Sequence, residues 1–171
     1  MTRLFRLLFL SILPLLPTFA LADSCSVALG TYLNSKKDIS GVDKGVTGRT
    51  TLSLAKDGLA IMTDSAQGGI EGYQAFGMMQ GTWRCVEGDA TGAKISATML
   101  DFSYPNESDS DAHIARVELS GTVTVETGQI SGEVNVYIYK LSDDPFSDVP
   151  PASSVDYVFD GKHVLSLPGS S

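Results

Sequence analysis

Few side chains in this chain have the type and spacing that chemistry needs. Histidine occurs only at His113 and His163. A Ser-His-Asp mechanism requires an imidazole within hydrogen-bond reach of its nucleophile. Neither histidine lies near a Gly-x-Ser-x-Gly turn, which the sequence lacks, so no catalytic residue is expected. Glu107, Asp109 and Asp111 alternate along an acidic stretch and could offer carboxylates to calcium. Such a site takes roughly six to eight oxygens, with a glycine-enforced turn and a bidentate glutamate in its commonest form. That pattern is missing, and a solvated loop is the simpler expectation. Asn106-Glu107-Ser108 also fits a glycosylation acceptor, which matters only in a eukaryotic secretory route. Cys25 and Cys85 lie far apart, with no Cys-x-x-Cys and no histidine pair, so they do not supply a tetrahedral zinc set. No metal and no cofactor is expected.

Asp101 is the most informative single acid, because Met99-Leu100-Asp101-Phe102 embeds it in an apolar run. By alternation it shares a face with Ile95, Ala97 and Met99. Facing inward, its carboxyl would be desolvated and its pKa raised; displaced by a bulge, it would face water. Both alternatives stay open. The glycine-broken stretch from Gln74 to Trp83 adds Met78 and Met79, whose flexible thioethers suit a pocket or lid. Together Met78, Met79, Trp83, Met99, Asp101 and Tyr137, with Met62 and Phe102 beside them, form a candidate site for a small hydrophobic ligand. Plain packing of a small barrel interior accounts for the same residues and is the competing expectation.

Strands must carry these residues, because the dominant pattern has a period of two. From Ala115 to Glu126 one face reads Ala, Val, Leu, Gly, Val, Val and the other Arg, Glu, Ser, Thr, Thr, Glu, which describes a strand with a buried and a wet face. Thr127-Gly128 supplies a turn, and Gln129 to Lys140 returns as its partner. Further strands are expected near 26–33, 47–55, 58–64, 72–87 (broken near Gly77), 92–104 and 155–166. Turns are expected at Lys56-Asp57-Gly58 and Glu87-Gly88-Asp89. Asn34 to Val46, Pro105 to Asp111 and Leu141 to Ser154 read as loops, the last with Pro145, Pro150 and Pro151. The expected fold is all-β, an antiparallel up-and-down barrel of about eight strands, with a sandwich as the alternative.

Export is written into the first 22 residues. Arg3 and Arg6 precede an apolar run from Leu7 to Leu16, and Ala20-Leu21-Ala22 offers a small-x-small cleavage site. The run is too short for the roughly 20 residues that span a bilayer. The chain therefore divides into a signal peptide, 1–22, and a single domain, 23–171. Lipidation of Cys25 would need a small residue just before it and an apolar one three before. Ala22-Asp23-Ser24 fits that poorly, so soluble export to a periplasmic or extracellular space is the leading expectation. The chain carries 12 Lys+Arg against 20 Asp+Glu, a net charge of −8, and losing Arg3 and Arg6 makes it more acidic. Nucleic acid and anionic membrane surfaces are thereby disfavoured as partners. In an oxidising compartment Cys25 and Cys85 are expected to form a disulfide, with two buried thiols as the rival reading.

Gly30-Thr31-Tyr32 and Gly81-Thr82-Trp83 each resemble the Gly-x-Trp element of lipocalin-like (calycin) barrels. That resemblance implies an eight-stranded barrel over most of 25–167, a cup for small apolar ligands, and a basic residue such as Lys162 packed over the aromatic ring. The chain departs from the pattern: the tryptophan copy is mid-chain, the N-terminal copy has tyrosine, and no C-terminal helix is evident. The leading functional expectation is non-catalytic binding of a small hydrophobic ligand. The alternatives are a structural or interaction module of the cell envelope, using a wet face or an exposed edge to bind a protein partner, and a barrel isomerase or cyclase using Asp101 or Tyr137.

Overall fold

A computed structural model describes residues 25–41, 44–69 and 74–165. The expected signal peptide lies outside the described residues. The strands are β1 (Gly30–Asp38), β2 (Thr47–Leu54), β3 (Leu59–Asp64), β4 (Met79–Gly88), β5 (Gly92–Phe102), β6 (His113–Thr124), β7 (Gln129–Lys140) and β8 (Ser153–His163). Each pairs antiparallel with the next, and β1 pairs with β8. The result is a closed up-and-down barrel of eight strands, as the period-two pattern led one to expect. Closure satisfies the edge strands that a sandwich would leave open.

The β6–β7 hairpin follows the sequence reading closely: Thr124 pairs with Gln129, and Gly128 takes the positive φ of 60° that the turn requires. Elsewhere the boundaries move. Residues 26–28 form a short 3-10 turn, η1 (Ser26–Ala28), rather than the start of a strand. The first strand instead runs on to Asp38, through residues that read as loop because polar side chains occupy its inward positions. The strand expected from residue 72 begins only at Met79, after Phe76 makes a single bridge to Ser103; residues 70–73 lie outside the described part. The turn before β5 falls at 89–91, where the Asp89 carboxylate accepts from the amides of Thr91 and Gly92.

Short turns join β2–β3, β4–β5 and β6–β7 at one end, while the longer connections lie at the other. The short-turn end is closed. The core there includes Ala28, Tyr32, Leu54, Ile95 and Phe159, and the Tyr32 hydroxyl donates to the Ala28 carbonyl at 3.0 Å. Cys25 and Cys85 form a disulfide, which ties the start of η1 across the floor to β4. The opposite end opens into a cavity.

Candidate functional site

That cavity has a volume of about 470 Å³ and lies in the open half of the barrel. Its apolar wall comes from inward positions of neighbouring strands, Ala115 and Val117 on β6, Val136 and Ile138 on β7, and Val155 on β8, with Met79 at the start of β4 and Phe76 from the β3–β4 connection. Alternation along each strand aims these side chains inward, while polar neighbours face out.

The polar wall is built mainly by β1, β3, β5 and β8. On β1, Asn34, Lys36 and Asp38 occupy successive inward positions, and of these Lys36 and Asp38 line the cavity. Lys36 Nζ lies 2.8 Å from Asp64 Oδ2 and 4.0 Å from Asp38 Oδ1. It also sits 5.0 Å from the centre of the Tyr157 ring, a cation–π arrangement that further satisfies a poorly hydrated ammonium. The other Asp64 oxygen accepts from the Ala66 amide at 2.9 Å, which fixes the carboxylate at the end of β3. Burial, reinforced by Asp64 and Asp38, pushes the Tyr157 phenol far above its ordinary range, so it stays neutral at any physiological pH. Asn34 donates to Thr50 Oγ1 at 3.2 Å, and its own carbonyl oxygen is buried without a hydrogen-bond partner among the described residues.

Asp101 faces inward with no bulge between β5 and β6, which settles the alternative left open by the sequence. It is 4% exposed and lines the cavity. Burial raises its pKa to about 6, against the lowering effect of the backbone amides of Phe102 and Gly77. Such a carboxyl exchanges its proton near neutrality and can hold, give or take one. Close by, Gln74 fastens the loop below it to the rim. Its carbonyl accepts from Ser103 Oγ at 2.6 Å and faces His113 Nδ1 at 3.2 Å, while its amide donates to the Asp109 and Asp111 carbonyls. The acidic stretch is therefore used in part as backbone anchorage for the cavity rim. No group of His, Cys, Asp and Glu with metal-binding geometry occurs among the described residues.

Of the expected ligand-contacting residues, the fold brings Met79 and Asp101 to the cavity. Met99 is fully buried in the core beneath it. Trp83 packs against the core near the floor, with its indole N–H donating to the Ala55 carbonyl at 2.8 Å. Met78 is exposed. Tyr137 lies on the outer face, under the Arg116 guanidinium at 5.0 Å, which in turn reaches the Pro145 carbonyl of the β7–β8 connection. Lys36, Asp38 and Asp64 were not singled out from sequence. The stretch Asn34-Ser35-Lys36-Lys37-Asp38 is polar throughout and carries no alternation; its freedom from glycine and proline was the one sign that a strand could continue there.

The Gly30-Thr31-Tyr32 triplet stands at the start of β1, and a ring from the last strand does pack over Tyr32. It belongs to His163, with ring centres 5.1 Å apart, and Lys162 points outward instead. A Cβ on Gly30 would lie 1.9 Å from His163 Nε2, so glycine is required for this packing. The chain matches no protein-family model, no curated protein and no solved structure. Its likeness to lipocalin-like barrels is one of architecture, a closed antiparallel barrel of eight strands.

Proposed function

We propose that this protein is an exported lipocalin-like barrel that binds a small, largely apolar molecule in its cup. The observation that carries the reading is the cavity of about 470 Å³, within the range of roughly 300–1,000 Å³ typical of ligand pockets. A small barrel can fill its interior with its own side chains; here the floor is filled and the open half is not. Export is supported by the Cys25–Cys85 disulfide, a bond that persists in oxidising compartments, and by the leader pattern of residues 1–22. No described helix is long and apolar enough to cross a membrane.

Two observations support other readings. Phe102, Tyr104 and Phe146 are exposed near the open end, which suits a protein partner held on the outer wall rather than at a strand edge. A buried Asp101 with a pKa of about 6 suits proton transfer on a bound molecule. Neither explains the void, and both are compatible with occupancy of the cup.

Titration with the environment-sensitive dye N-phenylnaphthylamine tests the cup directly. Saturable one-to-one binding is expected, weakened by about tenfold or more, some 1.4 kcal/mol, in Val136→Trp and Ala115→Phe, whose added bulk enters the void. Absence of saturable binding, or binding undiminished in both folded variants, contradicts the proposal.

A further inference from the structure

The chemistry of the cavity wall selects among apolar ligands by their head group. Lys36 is the sole Lys or Arg lining the cavity among the described residues. Its ammonium is already engaged by Asp64 at 2.8 Å, with Asp38 at 4.0 Å. Asp101 adds a further carboxyl on β5. At the rim Asp109 and His113 face each other at 3.9 Å. Among the described residues the wall thus carries four carboxyl groups, of Asp38, Asp64, Asp101 and Asp109, against one ammonium and one imidazole.

A ligand carboxylate or phosphate entering this space would have to displace Asp64 from Lys36, leaving a buried carboxylate unpaired, or lie uncompensated beside Asp101. Either outcome is unfavourable, because a buried charge without its counter-charge is strongly destabilising. A head group that brings donors and positive charge meets both needs at once, because charge-assisted hydrogen bonds to carboxylates are the strong ones.

Resting on the cup reading above, we propose that the ligand is an apolar molecule ending in a protonated amine, and that Asp101 is a main acceptor of its head. The apolar body lies against Val117, Val136 and Ile138, and the ammonium stays in the upper half beside the carboxyl groups. An anionic amphiphile of equal chain length is rejected.

Calorimetric titration with decylamine, decanol and decanoate, at neutral pH and below the concentrations at which they aggregate, reads this choice. Decylamine is expected to bind about tenfold or more tighter than decanol, and decanoate more weakly than either. In Asp101→Asn, an isosteric change that keeps an acceptor for the Phe102 amide, the decylamine-to-decanol ratio is expected to fall toward one. Decanoate binding as tightly as decylamine overturns the amine assignment while leaving the cup intact. A preference unchanged in Asp101→Asn overturns the role of Asp101. Failure of all three compounds to bind overturns the cup reading itself.

Discussion

Asp101 shows how one side chain can serve a site at the expense of the fold. Its carboxyl is inward on β5, 4% exposed, and its pKa is raised by burial from 3.8 to about 6. Folding therefore favours the protonated form. Between those two values the native state binds more protons than the unfolded chain, so stability is highest below the unfolded pKa and falls as pH rises through the folded one. The loss amounts to about 2–3 kcal/mol. Asp101→Asn is expected to remove it. The variant should be more stable than the parent at about pH 7 and nearly equal at about pH 4, as read by paired urea denaturation. A variant less stable than the parent at neutral pH would show that Asp101 has a stabilising partner rather than a desolvated acid. Lys36 and Asp64 behave differently, because each compensates the other at 2.8 Å, and their burial is sustained only as a pair.

Strands and turns were legible where hydrophobic alternation was clean. The β6–β7 hairpin has apolar residues inward throughout, and its register and glycine turn follow from pattern alone. The beginning of the barrel was not legible for a physical reason. On β1 the inward positions past Tyr32 are Asn34, Lys36 and Asp38, so a polar inward face imitates a loop. The same inversion hid most of the polar wall, whereas Asp101 stood out because apolar residues surround it in sequence. Tyr137 and Met78 were drawn in by type, but strand parity sends Tyr137 to the outer wall, and Met78 precedes β4 in an exposed position. Gly81-Thr82-Trp83 serves packing: a Cβ on Gly81 would sit 2.0 Å from the Thr98 carbonyl oxygen, so glycine permits the close β4–β5 approach. At this scale the disulfide matters most. It links residues 60 apart and holds η1 in the floor. Its removal by Cys25→Ser with Cys85→Ser should cost about 4 kcal/mol, measured as a fall in the denaturation midpoint under oxidising conditions. An unchanged midpoint would mean that η1 holds its place by packing alone.

At the scale of the whole molecule, the barrel divides into a filled floor and an open cup. The floor is secured by Tyr32, His163, Trp83 and the disulfide, with the short turns beneath. The cup collects the long connections, the polar wall and the void. Loops tolerate variation and carry function when a rigid scaffold presents them, and here the long connections and the cavity share one end. The central claim is that this void is where a small molecule binds. Methyl-resolved NMR of the protein titrated with decanol locates the ligand most directly. The largest shift changes are expected at Met79, Val117, Val136, Ile138 and Val155, all lining the cavity. Changes confined to outward-facing Leu141, Val149, Leu59, Val86 or Val125, with the cavity methyls unmoved, would contradict the claim and place recognition on the outer wall.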